Sequence, residues 1–386
     1  MKNFLAVVLI CIVTTSFGQE KNFTLSGNIQ HLDTRYIRVF MKDSTQPRGY
    51  FIDSIPVKDS STFTYQMHIG KMEYLTLMPG VDRTVKRTKD GRGYYPAKSS
   101  MLQFIATPGG KIHFTGEISD YVDAYPSGDD ANADLAFLNR RLNPLLNKSV
   151  NLMVSISDKK DTSDPEVRKI NAEIEALDKQ ADSIKLAFVS SHPSSIAGAW
   201  ALGDMMVRSQ ISNEEAINLF KKMDKEKLVG TPFYNEVAQR VDGLLATAIG
   251  KESPELVSTN TYDRKKFDLN TLRGKYVVLD FWGTWCMPCI SGMPKMKEYQ
   301  DKYRNRMEIV GIAQESDDGT NWRTFLDKNK DYHWHQILNR PENDLILKFS
   351  VAGFPTKIIL DPNGRIVGRF VGEDEAIYNK LDELLK

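Results

Sequence analysis

The chain has 386 residues, enough for two or three domains, and 41% hydrophobic with 26% charged residues is the balance of a globular protein. Its 51 basic and 50 acidic residues leave a formal charge of +1. That near-neutrality gives no basis for a nucleic acid or an anionic membrane surface as a partner, and the basic loop Arg83–Arg92 reads as solvated.

The first element is an export signal. In MKNFLAVVLICIVTTSFGQE, Lys2 precedes an apolar run from Phe4 to Val13, and Ser16-Phe17-Gly18 puts small residues where a signal peptidase cuts. Residues 1–18 are therefore expected to be removed, leaving an exported chain that starts at Gln19. The run is too short to span a bilayer. Cys11 lies inside it, behind Ile10 rather than the small residue that a lipid-attachment cysteine needs. The mature chain then keeps two cysteines, Cys286 and Cys289. Export permits a disulfide, but two cysteines so close together are no structural framework.

Residues 19–127 read as an all-β, sandwich-like domain. Alternating runs recur at Phe23–Gly27, Tyr36–Phe40, Phe63–Met67, Leu75–Leu77 and Lys111–Phe114, with turn residues between them. His31, His68 and His113 are isolated and lack metal-ligand spacing. Residues 128–250 read as a helical middle region. Asp164-Pro165 opens a helix that His192-Pro193 ends, Ser212 and Glu215 form a capping box, and Thr231-Pro232 starts a third helix. In the first of these, Val167, Ile170, Ile174, Leu177, Ala181, Ile184 and Phe188 form one apolar stripe. The stripe serves either packing within its own bundle or a homodimer seam.

Residues 251–386 alternate. Strands are expected at 276–281, 307–313, 356–360 and 365–370, and helices at 288–303, 320–330, 343–349 and 373–386. This pattern gives an α/β sheet covered by helices on both faces.

The stretch FWGTWCMPC, residues 281–289, sits where the first of these strands meets its helix. Unpaired N–H groups and the helix dipole at that junction favour a Cys286 thiolate. Cys289, one turn on, is placed to bridge to it and to resolve a mixed disulfide. Pro288 stiffens the intervening segment, and Met287-Pro288 tunes the potential. A zinc site would need two further ligands, for which His333 and His335 are the nearby candidates. Two inert buried thiols are the remaining reading.

The motif Asp280-Phe-Trp-x-x-Trp285-Cys286-x-Pro-Cys289, with Gly353-Phe354-Pro355-Thr356, resembles the active site of the thioredoxin superfamily. The wording around the cysteines and the extra segment at 314–340 are closest to exported TlpA/ResA-like thiol–disulfide oxidoreductases. The resemblance covers roughly residues 250–386. The β-rich region resembles the domain of unknown function often placed ahead of such modules in exported bacterial proteins. The resemblance implies a thioredoxin fold at the C-terminus, no cofactor, and a periplasmic location. Its implied partners are disulfide-bearing exported proteins and a membrane thiol electron donor. It implies Cys286 as the attacking and Cys289 as the resolving thiol. Pro355 would be the cis-proline facing them, and Asp280 a buried acid relaying protons. Trp285, Phe354 and Pro288 would contact substrate, Phe354 through backbone pairing; Trp282 would share the aromatic surface or pack inside. The family favours a protein-disulfide reductase. An oxidase or isomerase would use the same residues, while a peroxiredoxin-like peroxidase and a non-catalytic scaffold are further alternatives. Two positions depart from the ResA-like pattern: those proteins carry a glutamate three residues after the second cysteine, where this chain has Gly292, and often lack an acid at the position of Asp280, so the proton relay is expected where thioredoxin has it.

Overall fold

The computed structural model of the protein describes residues 22–42, 50–159, 161–332 and 334–386. The export signal, Cys11 and His333 lie outside the described residues. The first region contains β1 (Phe23–Gln30), β2 (Tyr36–Lys42), β3 (Tyr50–Lys58), β4 (Thr62–Met67), β5 (Glu73–Leu77), β6 (Lys86–Arg87), β7 (Tyr94–Tyr95), β8 (Leu102–Ala106), β9 (Lys111–Ile118) and β10 (Val122–Ser127). Six of these form one sheet in the order β10-β9-β1-β4-β3-β2, with β1 parallel to β9 and the other pairs antiparallel. The antiparallel pair β5–β8 closes over it, and an Arg38–Met78 bridge links that layer to β2, giving a strand-rich half-barrel. Alternate residues of β1 point inward: Phe23, Leu25 and Ile29 pack with Phe104, Ile112 and Phe114. The expectation from sequence missed β3, β6, β7, β8 and β10.

The middle region contains α1 (Asp130–Ser155), α2 (Pro165–Ser191), α3 (Ile196–Val207), α4 (Asn213–Lys222), α5 (Lys225–Leu228) and α6 (Pro232–Ala246). The capping signals act as read. Asp164 accepts from Glu166 N–H with Pro165 in the first turn, Ser212 and Glu215 satisfy each other's backbone N–H, and Thr231 accepts from Tyr234 N–H. The stripe on α2 is covered inside the chain. Val167, Leu177, Ala181 and Phe188 are buried, and α1 and α3 pack against α2. Buried Asn132 on α1 accepts from Ile105 N–H at 2.9 Å and donates to Ile105 C=O at 2.8 Å, completing the edge of β8.

The last region contains β11 (Val257–Ser258), β12 (Phe267–Asp268), β13 (Tyr276–Trp282), α7 (Met287–Lys302), β14 (Met307–Ala313), α8 (Thr320–Lys328), β15 (His335–Leu338), α9 (Leu345–Lys348), β16 (Thr356–Leu360), β17 (Ile366–Val371) and α10 (Glu375–Leu385). The sheet order is β15-β14-β13-β16-β17, parallel among the first three strands and antiparallel for the last two. Apart from Asp280, central β13 is apolar, and it is buried on both faces, as a strand under two helical layers must be. On one face Met293, Met296, Trp322 and Leu381 come from α7, α8 and α10; on the other lie Leu269, Leu345 and Phe349. The expected strands and helices of this region appear within a few residues of their read limits. Two-residue β11 and β12, and short β15, which lies inside the extra 314–340 segment, were not anticipated.

Candidate active site

β13 ends at Trp282, and a short bend later Cys286 caps α7. The Cys286 sulfur accepts from Cys289 N–H at 3.2 Å, so it sits on the unpaired N–H groups of the helix start. A disulfide joins Cys286 and Cys289 across 5.3 Å between Cα atoms. Pro288 occupies the first turn, where its missing N–H leaves no gap in the hydrogen bonding. When the bridge is reduced, the helix terminus stabilises a thiolate at Cys286 rather than at Cys289. Both cysteines are nearly enclosed, 4% and 3% exposed.

The loop before Cys286 is held from the end of β14. Glu315 accepts from Thr284 N–H at 2.7 Å through one oxygen and from the Thr284 hydroxyl at 2.8 Å through the other. Burial pushes the Glu315 carboxyl up, and the two Thr284 bonds oppose it. Trp285 donates its indole N–H to Gln314 C=O at 2.8 Å, and Asn339 holds the Gln314 side chain at 2.8 Å. Sequence reasoning passed over Glu315 and Gln314. Their available signal was two polar residues directly after a strand that pairs with the cysteine-bearing one.

The facing loop carries the Phe354–Pro355 bond in the cis form. Thr356 donates to Gly353 C=O at 2.7 Å and Gly372 N–H donates to Pro355 C=O at 2.8 Å, which tie this loop to the end of β17. Phe354 meets Trp285 edge-on at 5.2 Å. Trp285, Met287 and Val371 stay exposed as an apolar rim beside the disulfide. Of the two readings left open for Trp282, surface and packing, the structure takes packing. The side chain is fully buried in the core, with its N–H given to Gln336 at 3.2 Å.

Asp280 lies inside the sheet at 3% exposure, opposite Lys357 in the β13–β16 register. Its Oδ1 has no hydrogen-bond partner, and Lys357 Nζ stands 3.7 Å away, an ion-pair distance. Burial raises the Asp280 carboxyl above its usual range; Lys357 opposes that and Glu373 adds to it. Lys357 and Glu373 were also missed from sequence. Among the described residues no group of three His, Cys, Asp or Glu is disposed to hold a metal, and His335 packs against Phe267 at 5.0 Å.

A disulfide at a helix N-terminus, with a cis-proline loop whose Phe354 packs on Trp285, on a five-stranded sheet in this order, is the arrangement of a thioredoxin-fold thiol–disulfide oxidoreductase. The matching family model and the sequence relatives agree. A family model described as thioredoxin-like matches residues 274–366. A thiol-disulfide oxidoreductase ResA from Bacillus cereus is 36% identical over 127 residues, 32% of this chain and 70% of that one. Its counterpart in Bacillus thuringiensis subsp. konkukian is 34% identical over 140 residues, 36% of this chain and 77% of that one. The solved thioredoxin domain of a thiol-disulfide oxidoreductase from Bacteroides vulgatus is 25% identical, with 36% of this chain and 99% of that chain covered and a TM-score of 0.33. The chain belongs to the ResA-like thiol–disulfide oxidoreductases of the thioredoxin superfamily.

Proposed function

We propose that the protein is an exported, periplasmic reductase of protein disulfides, recharged by a membrane thiol donor. The observation that carries the reading is the Cys286 sulfur on the α7 N-terminus beside the exposed rim of Trp285, Met287 and Val371. The Cys286 thiolate attacks one sulfur of the substrate disulfide, and the other leaves as a thiolate. Cys289 gives its proton to the carboxylate of Asp280 and attacks the Cys286 sulfur of the mixed disulfide. The second substrate sulfur is released, and two electrons have passed from the dithiol to the substrate. A donor dithiol then reduces the Cys286–Cys289 bridge. Trp285, Phe354 and Pro288 contact the substrate chain, and Pro355 keeps the facing loop against the bridge.

The N-terminal sequence supports export: residues 1–18 have the composition of a cleaved signal. Among the described residues no helix is long and apolar enough to cross a membrane. A homodimer through the helical region is a further part of the proposal; within one chain α1 and α3 pack against α2, burying Val167, Leu177, Ala181 and Phe188 and leaving Ile170, Ile174 and Ile184 half-buried.

Equilibration of the mature protein in defined thiol buffers tests the direction. A reduction potential near that of thioredoxin, about −270 mV, supports the reductase. A potential near that of DsbA, about −120 mV, overturns it in favour of an oxidase.

A further inference from the structure

Gly292 lies one helical turn past Cys289, buried on α7. A Cβ placed on it would collide with the carboxylate of Glu373, which follows β17. The two cannot occupy that space together. The absent side chain is what lets Glu373 press against the helix beneath the disulfide.

Glu373 has two partners there. Lys357 Nζ lies 2.7 Å from one oxygen, and the Tyr378 hydroxyl donates to the other at 2.7 Å. Lys357 is 1% exposed, so its charge must be met inside the protein. It stands between two carboxylates but closer to one: 2.7 Å from Glu373 against 3.7 Å from Asp280. One cation cannot neutralise both in a poorly polarisable interior. Glu373, with the shorter ion pair and the Tyr378 bond, is the member that Lys357 compensates. Asp280, whose Oδ1 accepts no hydrogen bond, is left as the carboxylate with the greater affinity for a proton, the one that takes it from Cys289.

We propose that Glu373 governs the protonation of Asp280 by holding Lys357 away from it, and that glycine at position 292 is what admits the Glu373 carboxylate. Glu373 acts through Lys357 and Asp280, so it is a positioning residue. Its side chain keeps 23% of its surface exposed, which connects the buried pair to water. Beside the pair stand Tyr378 and Glu375 on α10 and Cys289, Lys295 and Tyr299 on α7; of the further charges on these helices, Lys380 pairs with Glu383 at 2.9 Å, Lys297 pairs with Asp301 at 2.6 Å, and Asp382 acts on Tyr299. Lys295 is committed to Glu375 at 2.7 Å and to the face of the Tyr378 ring at 4.1 Å. Tyr299 packs on Tyr378 at 5.3 Å. From β14, the residue opposite Asp280 is Gly311, which brings no charge.

The proposal rests on Asp280 as the proton relay of the exchange, and its test reads the protonation of Asp280 directly. Infrared difference spectra of the full mature chain are taken across pH. The protonated-carboxyl band that disappears in Asp280→Asn belongs to Asp280. In Glu373→Gln, Lys357 is free to turn to Asp280, and the band's midpoint should fall by about 1–3 pH units. Gly292→Ala, which displaces Glu373 without removing its charge, should move it the same way. Lys357→Met should move it upward. An unmoved or rising midpoint in Glu373→Gln overturns the control by Glu373, and an unmoved midpoint in folded Gly292→Ala overturns the role of the glycine. If Asp280→Asn exchanged disulfides at the parent rate, the relay reading would fall, while the infrared titration would still decide whether Glu373 governs Asp280.

Discussion

Asp280 is a carboxyl with the wrong surroundings for its charge. Burial raises it above its ordinary value of 3.8, so the folded protein binds its proton more tightly than the unfolded chain does. The stabilisation this gives is complete below the ordinary carboxylate range and is lost as pH rises through the folded value. Asparagine at 280 cannot ionise and avoids that loss. Asp280→Asn should therefore match the parent in urea melts near pH 4 and exceed it by about 1–3 kcal/mol at pH 8. A variant that gained nothing at pH 8 would show that Asp280 ionises there without penalty. The acid itself was legible in the sequence, because Leu279 and Phe281 on either side announce a buried strand. Lys357 was not, since a lysine after Pro355-Thr356 looks like the outward residue of a strand. Only the antiparallel register of β13 with β16 sets it against Asp280. Glu373 was still less visible, because its place depends on a side chain that Gly292 lacks. Trp282 and Trp285 stand three residues apart in one motif. The end of β13 turns one into the core and the bend after it leaves the other 56% exposed.

At the scale of elements, the junction from β13 to α7 depends on β14. Both oxygens of Glu315 hold Thr284, and Gln314 holds the Trp285 indole, so the bend that delivers Cys286 is gripped from the neighbouring strand. Glu315→Ala should leave the fold intact and slow insulin reduction about 10–100-fold, the usual scale for a misplaced reacting group. Glu315→Gln, which keeps one acceptor oxygen, should recover part of the rate. Equal rates in parent and Glu315→Ala would mean that the bend holds itself. The elements easiest to read were those whose limits are set by local chemistry: Asp164-Pro165, Ser212 with Glu215, and Thr231-Pro232 all begin helices where expected. The missed strands are those defined by partners. β8 is buried at every position and shows no alternation, and β15 has only four residues.

At the scale of the molecule, the redox region is joined to the helices through a tight seam. A Cβ at Gly243 on α6 would meet Leu347 O at 2.7 Å, Lys348 O at 2.9 Å and Ser350 N at 3.0 Å. Arg369 reinforces the seam, reaching Thr247 Oγ1 at 3.1 Å and the carbonyls of Phe349 at 3.0 Å and Ser350 at 2.6 Å. Gly243→Val should force the two surfaces apart at a cost of about 1–3 kcal/mol and lower the melting temperature, with the reduction potential unchanged. A shifted potential would mean that the seam reaches the disulfide. Nothing local marked Gly243, whose contacts lie on α9 and just beyond it, far along the chain. On the other side of the helices, Tyr74 stacks on Trp200 at 4.0 Å and Lys98 pairs with Asp204 at 2.9 Å, tying the half-barrel to α3. The position of the disulfide within this arrangement has a consequence for biosynthesis. Cys286 and Cys289 leave the ribosome before Pro355, Lys357 and Glu373, and α10 is the last element to follow. During that interval the two thiols exist without the facing loop or the buried charges that later discipline them. A nascent chain is therefore open to exchange with any passing disulfide, and completion of its last strands and helix turns an indiscriminate pair into a selective one.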